Sequence, residues 1–514
     1  MRISNLNLKF IFEILLLVST FLLQACGSSS NSATNQFTLT VSVEGNGSVN
    51  DAQSIHCGNT CSAQYSEGRS ITLTAVADSG HVFDAWVGDI CSSETSRTCS
   101  FNLNGNYRVA AHFVTRSNDC AAPQVLCVDD TAGVQQEYVR IQDAIDKAVA
   151  GDTVLVFAGT YQGFNINKSG TASARLAVRA NDDSVIINRH GDQIDAIIRI
   201  TNVHYVTVEG FTVNNTDNTG IGLAARDATA TSPMKGLIVR NNRVYDSAST
   251  NIYLSHVADS LIESNVAANS KSSHGIYLSN GGSDNTTLRA NIIYNNAKNG
   301  IHFNGDLSVG SGTDGLHSGI IMEQNRIYKN MANGLDMDGV QDSIIRNNLI
   351  YQNGRHGIRG FVTDAAAGPE SLKIYSNTVV NNGGWSIKFT DDGGQHVIFN
   401  NILLDNEGSI SLQKNSFQSG YNLTTNTFRL GGDEIPTVSL SAWQAMGYDA
   451  HSFSAAIANV FANANSDDYS LASSSPAIDK GTASFGGIDA ASVDLKNHRR
   501  PARSGHDIGA YETQ

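Results

Sequence analysis

The chain has 514 residues, of which 40% are apolar and 16% are charged, with 47 glycines, 6 prolines and a formal net charge of −14. Its length exceeds one ordinary domain, and this glycine-rich, weakly charged composition favours a turn-rich β protein over a helical one. The negative charge argues against a nucleic-acid binder, and it requires any site for an acidic polymer to be locally basic.

The first residues predict a targeting signal rather than a folded domain. Arg2 and Lys9 precede the apolar run 10–23, which is too short for an ordinary membrane span, and Cys26 follows it, then Gly27 and serines. The pattern resembles a bacterial lipoprotein signal, which implies a signal peptide over 1–25, a lipid on Cys26 and an outer-membrane location. A plain signal peptide with a chance cysteine is the alternative. A Ser/Asn-rich tether is predicted over 26–36.

The other six cysteines all lie early in the chain and fall into near neighbours, namely Cys57, Cys61, Cys91, Cys99, Cys120 and Cys127. In an oxidising compartment such a set predicts local disulfides. A zinc site is the rival interpretation, because Cys57 and Cys61 are spaced like metal ligands.

Residues 37–115 are predicted to form a small β module. Residues 37–43 alternate between apolar and polar types, and a Gly-Asn-Gly turn follows them. The stretches 81–86 and 109–113 resemble the divergent internalin-type B-repeat of bacterial surface proteins, which implies a spacer or adhesive unit. Trp86 is predicted to belong to its core, with sugar binding as the alternative.

The main domain is predicted to begin with a helix. Ile141, Ala144, Ile145, Ala148 and Val149 share one helical face, and residues 151–152 are expected to end the helix before a strand over 153–157. This arrangement, with residues 159–161 and 206–213, resembles the cap and first coils of a right-handed parallel β-helix. The predicted fold class is therefore all-β, with the β-helix over 125–430 and a C-terminal cap segment over 431–514.

An asparagine then recurs at intervals close to one solenoid turn. The series is Asn242, Asn265, Asn291, Asn325, Asn348, Asn377 and Asn401. We expect these side chains to stack and to form hydrogen bonds from coil to coil, which is a structural role.

Aligning the coils on the strand that follows each turn predicts an outer surface. The inward column is Ile221, Ile252, Ile276, Ile301, Leu335, Ile358, Ile387 and Ile410, so the next residues point outward: Gly222, Tyr253, Tyr277, His302, Asp336, Arg359, Lys388 and Ser411. A parallel column two residues later includes Asn304 and Asp338, and a column before the glycines contains His274, Asn299, Asn333 and His356. A solvated ladder of salt bridges is the structural alternative to a site.

The first chemistry that these residues support is β-elimination from a uronate-containing glycan. The arrangement resembles parallel β-helix polysaccharide lyases, which implies an Arg or Lys base and often calcium. We predict calcium held by Asp336, Asp338 and Asn304, with Lys388 as the base. Arg359 lies between the acidic coil and Lys388, so it is the rival for the base or a binder of the uronate carboxylate.

The remaining roles complete this hypothesis. His302 is predicted to protonate the leaving oxygen. The predicted substrate-binding residues are Tyr253, Tyr277, His274, His356 and Asn333. The expected partners are an acidic polysaccharide and the membrane, without nucleic acid, and the chain is expected to be a monomer.

Two alternatives stay open. Asp336 and Asp338 lie two residues apart on one strand, so they could act as the carboxylate pair of a glycoside hydrolase. The protein could instead be a noncatalytic glycan-binding surface protein, since the anchor and the spacer suit both roles. An epimerase would share the proton abstraction with a lyase. In the C-terminal segment, Arg499, Arg500 and Asp507 are predicted to be structural.

Overall fold

The computed structural model describes residues 35–51, 53–58, 60–78, 81–92, 97–115, 120, 122–129, 138–191, 195–214, 216–224, 232–279, 283–309 and 313–514. The predicted signal peptide and the lipidation site Cys26 lie outside these residues. The chain divides after Arg116 into two compact units. Within the described part, we find no helix that is both long and apolar enough to span a bilayer.

The first unit is a β module of two four-stranded sheets. In sheet order, one contains Thr60–Ser66, Gln36–Glu44, Tyr107–Thr115 and His81–Gly88, and the other contains His56–Cys57, Gly47–Asn50, Arg69–Ala77 and Thr98–Leu103. Trp86 is only 2% exposed and its ring lies 5.2 Å from that of Phe83, so it belongs to the core as predicted.

The predicted local disulfides are confirmed, and they exclude the zinc alternative. Cys57 pairs with Cys61 and Cys91 with Cys99 in the first unit, and Cys120 pairs with Cys127 at the start of the second. Each bridge closes a loop of a few residues, so it constrains the unfolded chain locally.

The second unit is a right-handed parallel β-helix of three long sheets, which confirms the predicted fold class. The first sheet contains Val125–Val128, Thr153–Val156, Leu176–Ala180, Val206–Glu209, Ile238–Arg240, Leu261–Glu263, Thr287–Arg289, Ile321–Glu323, Ile344–Arg346, Lys373–Tyr375, His396–Phe399 and Phe417–Gly420. The second contains Gly159–Gln162, Val185–Arg189, Thr212–Asn214, Arg243–Tyr245, Val266–Ala268, Ile292–Tyr294, Arg326–Tyr328, Leu349–Tyr351, Thr378–Val380, Ile402–Leu404 and Leu423–Thr424. The third contains Phe164–Ile166, Ala196–Thr201, Thr219–Ala224, Ile252–Ser255, Ile276–Ser279, Ile301–Asn304, Leu335–Asp338, Ile358–Phe361, Ile387–Phe389, Ile410–Leu412 and Phe428–Leu430.

Short elements complete this unit. Among the described residues, the α-helices are Ile141–Lys147, Leu440–Ala445 and Ile457–Val460, and two 3-10 helices are Leu307–Val309 and Ala464–Ser466. The two-stranded pairs are Met234–Lys235 with Val257–Ala258, His317–Ser318 with Val340–Gln341, Phe461–Asn463 with Asp468–Leu471, and Ser484–Phe485 with Ile488–Asp489.

The predicted asparagine ladder is confirmed at the corner between the first and second sheets. From Asn265 onward, each Asn oxygen accepts both the backbone N–H and the side-chain amide of the Asn one coil earlier, as Asn348 does from Asn325 at 3.0 Å each. The ladder continues to Asn422, and Asp449 ends it. These side chains are buried, and a buried amide without a hydrogen-bond partner would destabilise the fold. The ladder bonds supply those partners.

A second asparagine ladder was not predicted. It follows the second sheet and consists of Asn296, Asn330, Asn353, Asn382 and Asn406. Each of its members lies five residues after a member of the first ladder, so the signal was present in the sequence.

Both ends of the coil are covered. Ile141, Ala144 and Ile145 bury one face of the first helix in the core of the coils. That helix ends at Lys147, earlier than predicted, and Val149 is 63% exposed, because the chain is already extended at Ala148. At the other end, the fully buried Trp443 stacks on aromatic rings of the last coils.

The rest of the C-terminal segment runs back along the flank of the coils. Tyr469 packs on Tyr351 of the second sheet, and Lys329 forms an ion pair with Asp467 at 2.9 Å. Arg500 is 5% exposed and donates to the carbonyl of Asp507 at 3.0 Å, which agrees with a structural role. This flank is therefore closed by the chain itself, and the third sheet keeps an outer face for other contacts.

Candidate functional site

The predicted outward column lies on the third sheet in the expected register. Its inward neighbours pair coil by coil from Ile221 to Ile410 and are 0% exposed. The outward residues therefore stack about 4.8 Å apart along one face. The register also extends the column beyond the prediction, to Arg199 before Gly222 and to Arg429 after Ser411.

A polar ladder forms the border of this face. His274 Nδ1 accepts the backbone N–H of Asn299 at 3.3 Å, and the Asn299 oxygen accepts that of Asn333 at 2.9 Å. The Asn333 oxygen accepts the N–H of His356 at 3.0 Å, and His356 Nδ1 accepts that of Trp385 at 2.9 Å. The predicted binding residues are His274, Asn333 and His356, and each of them accepts a hydrogen bond from a backbone N–H of the next coil. Their contacts in the structure are therefore structural.

Asp336 is the centre of the site. Its carboxylate is buried and accepts four donors: Asn333 at 2.8 Å and Arg359 at 3.0 Å on one oxygen, and Asn299 at 2.9 Å and His302 at 3.0 Å on the other. Burial alone would raise the pKa of Asp336, but the hydrogen bond from His302, the charge that this imidazole carries when protonated, and the guanidinium of Arg359 hold it below its ordinary value. Asp336 is therefore an anion that positions an imidazole and a guanidinium.

His302 is oriented on both sides. Because a carboxylate only accepts, the Nδ1 that faces Asp336 carries a proton, which leaves Nε2 as the basic nitrogen of the neutral ring. The ring stacks on His274 at 4.5 Å and lies 5.0 Å from that of Tyr277. Tyr253 extends this aromatic row, with its ring 5.5 Å from that of Tyr277. Partly exposed rings in a row form a surface on which a sugar can stack.

Arg359 has one partner on each side of its guanidinium. It donates to Asp336, and its guanidinium carbon lies 3.9 Å from the ring centre of Phe361. The side chain is still 34% exposed, so its remaining N–H groups are within reach of a ligand carboxylate.

Asp338 does not share in this cluster. Its two oxygens accept the backbone N–H groups of Thr363 at 3.0 Å and Asp364 at 2.9 Å, and burial raises its pKa in spite of these bonds. Asp338 thus fixes the inserted segment 363–369, which also contacts the insertion after Gly305: Leu307 donates to the carbonyl of Asp364 at 3.2 Å. The two insertions therefore lie against each other.

The predicted calcium ligands do not fit a cation. Four donors occupy the lone-pair sites of the Asp336 carboxylate, and Asp338 is 0% exposed with each oxygen bonded to a backbone N–H group, so neither side chain presents an oxygen to a cation. Within the described residues, no group of three or more His, Cys, Asp or Glu is arranged to hold a metal ion. Asn304 lies beside Asp338 in register, but it adds a single amide.

Lys388 has a partner that sequence reasoning missed. Its ammonium lies 2.7 Å and 2.8 Å from the two oxygens of Asp433, and Arg429 donates to the same carboxylate at 2.6 Å. The hydrogen bond from Lys388 lowers the pKa of Asp433, and Arg429 adds to this effect. The strand Phe428–Leu430 lacks the Gly-Ile pattern of earlier coils, so the aligned column stopped before it.

Beyond the tyrosines the same face contains a groove of about 260 Å³. Tyr253 and Tyr277 line it on one side, and Arg199, with Asp195, lines it on the other. Its volume is below that of drug-sized pockets, which fits part of an extended ligand better than a whole buried one.

The polar ladder makes a prediction about stability against pH. Burial lowers the pKa of His274 to about 3 and that of His356 to about 4, from an ordinary value of 6.5. The unfolded chain therefore binds protons below pH 6.5 that the folded chain does not, so stability falls as the pH drops from about 6.5 to about 4. Each imidazole contributes at most about 1.4 kcal/mol per pH unit.

The test is the double variant His274→Asn and His356→Asn, measured by urea unfolding across this pH range. Asn occupies the same column at Asn299 and Asn333, where its oxygen makes the same bond, so the variant keeps the acceptor and loses the titration. We expect a clearly smaller loss of unfolding free energy on acidification. An unchanged slope would contradict the prediction.

Comparisons with known proteins agree with this architecture. A divergent InlB B-repeat domain model matches residues 37–117, a right-handed beta helix region model matches 304–428, and the model of the periplasmic copper-binding protein NosD matches 145–311. The pectate lyase PEL9 of Emericella nidulans is 30% identical over 193 residues, which are 34% of this chain and 46% of that protein. The chain thus spans less than half the length of this curated relative.

Solved structures show distant likeness. The pectate lyase Pel9A is 14% identical, with 76% of this chain and 96% of that chain covered and a TM-score of 0.47. The A-module of the mannuronan C-5 epimerase AlgE6 of Azotobacter vinelandii is 15% identical, with 62% and 94% covered and a TM-score of 0.40.

Proposed function

Because this chain is a right-handed parallel β-helix protein preceded by a divergent InlB B-repeat domain, we propose that its third sheet binds a uronate-containing polysaccharide and cleaves it by β-elimination. The observation that carries the proposal is the buried Asp336 carboxylate, which holds His302 and Arg359 on the two adjacent coils. The partial similarity to a pectate lyase supports this class of substrate.

Arg359 binds the uronate carboxylate in this proposal. Its guanidinium presents N–H groups in a planar fork, which matches a carboxylate and partly neutralises it. Neutralisation makes the proton on the carbon beside the carboxylate more acidic, because negative charge develops there when the proton leaves. The Asp336 bond and the Phe361 ring fix the guanidinium before the substrate arrives.

His302 is the acid and base. Nε2 takes the proton from the carbon beside the carboxylate, the electron pair of that C–H bond forms the new double bond, and the glycosidic C–O bond on the next carbon breaks. The imidazolium, which Asp336 stabilises, then gives its proton to the leaving oxygen. The products are a new sugar end and an unsaturated uronate, so no oxidant or water is consumed.

Two predicted roles change in this proposal. Lys388 Nζ donates to both oxygens of Asp433, at 2.7 Å and 2.8 Å, so we assign Lys388 to substrate binding rather than to the base. No step uses calcium, because the oxygens of Asp336 and Asp338 are already bonded to donors.

Hydrolysis by an Asp336–Asp338 pair is disfavoured by the same contacts. A hydrolase needs one carboxyl group that gives a proton and a second that activates water or attacks the sugar. Asp336 is a fully bonded anion, and Asp338 is 0% exposed and bound to the backbone of 363–364.

The test is incubation of the purified protein with polygalacturonate, alginate and other uronate polymers, with and without a calcium chelator, while ultraviolet absorbance and reducing ends are recorded. We expect absorbance from unsaturated products that survives the chelator, and a loss of about 100-fold or more in Arg359→Ala. New reducing ends without absorbance would overturn the proposal in favour of hydrolysis. Binding without any product would favour a noncatalytic surface protein.

We also propose that Cys26 anchors the protein to the bacterial outer membrane. The residues that carry this proposal are the apolar run 10–23 and the Cys26-Gly27 pair that follows it. In cells fed radioactive palmitate, the wild-type chain should take up label and sediment with outer membranes, and Cys26→Ala should do neither. Cys120→Ala is the matched control, since it removes another early cysteine, and it should stay labelled. A wild-type chain without label would contradict the anchor.

A further inference from the structure

The outer face of the third sheet carries a second cationic cluster beyond the catalytic residues. Arg359 is followed in register by Lys388, Ser411 and Arg429, one residue per coil. Successive coils are about 4.8 Å apart, so Arg429 lies about 14 Å along the face from Arg359. A polyuronate has one carboxylate on every sugar, so a chain that follows the coil axis presents several carboxylates to these coils.

The charges of this cluster are not balanced. Lys388 and Arg429 share the single carboxylate of Asp433, with contacts of 2.7 Å and 2.6 Å. Arg359, in contrast, has Asp336 as a buried partner. Two cations on one carboxylate retain one positive charge, which favours the approach of an anion.

The cations and their partner also differ in exposure. The side chains of Lys388 and Arg429 are each 14% exposed, whereas Asp433 is 62% exposed. Asp433 lies in the turn after the strand Phe428–Leu430, so its carboxylate reaches the cations from the solvent side. Because the Asp433 side chain is exposed, its carboxylate can return to water when it leaves the cations, and a competing carboxylate can replace it at small cost.

We propose that Lys388 and Arg429 form a second carboxylate subsite and that Asp433 occupies it until a uronate of the bound polysaccharide displaces its side chain. The inference rests on the proposed function for the class of ligand. It adds an internal competitor: the side chain of Asp433 stands where a sugar carboxylate binds, so removing its charge should strengthen binding.

The experiment is calorimetric titration of the full chain with hexamers of galacturonate and of mannuronate, and with their carboxyl-reduced counterparts. We expect Asp433→Asn to bind at least one uronate hexamer about fivefold more tightly than wild type, and no reduced hexamer more tightly. Adding Arg429→Gln should abolish the gain. Asp405→Asn is the matched control, because it removes one exposed charge just after the strand Ile402–Leu404 of the second sheet, and it should leave the affinity unchanged.

Unchanged or weaker binding in Asp433→Asn would overturn the proposal, as would the absence of hexamer binding in both proteins. If Arg429→Gln fails to fold, Arg429→Lys takes its place and keeps the positive charge. Combined with Asp433→Asn, it should retain the increase in hexamer affinity. Loss of that increase would overturn the assignment of Arg429 to the subsite. The titration needs no turnover. If no polymer yields unsaturated product while Asp433→Asn still binds more tightly, the lyase proposal fails and the subsite stands.

Discussion

Replacing His302 with alanine should lower the rate of unsaturated-product formation by about 1000-fold, which is within the range measured for a general acid or base. The reason is geometric: the buried Asp336 holds His302 through Nδ1, so Nε2 is the nitrogen of the neutral ring that keeps a free lone pair. The measurement is the initial rate of absorbance increase on the best polymer, at saturating substrate. Affinity for the polymer should change much less than the rate.

A matched control separates chemistry from folding. His451→Ala removes a histidine that stacks on Tyr421 at 4.6 Å, away from the third sheet, and its rate should equal that of wild type. Asp336→Asn should also lower the rate, because a neutral amide no longer stabilises the imidazolium. Equal rates in His302→Ala and wild type would exclude His302 as the acid and base.

Much of the coil could be predicted because its physics is local and repeats. A strand buried on one face must alternate, so one inward aliphatic residue in each coil determines the outward residue, and the register from Gly222 to Ser411 followed directly. The first asparagine ladder was found for the same reason, since a buried amide must be bonded and the next coil offers the same group.

The remaining features depend on contacts that no repeat encodes. Asp336 and Asp338 are the same residue type and lie on the same strand, so the sequence gives them equal standing. Asp336, however, accepts hydrogen bonds from side chains, whereas Asp338 accepts them from the backbone of an inserted loop. The partner of Lys388 lies 45 residues later, in a turn outside the repeat. The sequence could therefore place Arg359 and Lys388 on one face, but it could not assign their partners. Without the partners, it could not distinguish a calcium site from an ion-pair cluster.

The same reasoning predicts a large loss of stability in Asn348→Ala. The Asn348 oxygen accepts two N–H groups of Asn325, and its amide donates to the carbonyl of Met322 and to the oxygen of Asn377. Alanine would remove all four of these bonds between buried groups, and it would leave the backbone N–H of Asn325 without the Asn348 oxygen. Each buried group left unsatisfied costs about 1–3 kcal/mol. We expect the free energy of unfolding in urea, followed by circular dichroism, to fall by about 4 kcal/mol.

Two further variants make this result specific to the ladders. Asn415→Ala changes an exposed asparagine outside both ladders and should shift the free energy of unfolding by less than about 0.5 kcal/mol. Asn353→Ala, at the equivalent place in the second ladder, should cost about as much as Asn348→Ala, because its oxygen also accepts two N–H groups from the coil before it. Each coil of a solenoid contacts mainly its neighbours, so a break in either ladder weakens the junction between coils, including those that hold Asp336 and Arg359 in register. A loss below about 1 kcal/mol in both variants would show that the strands alone hold that register.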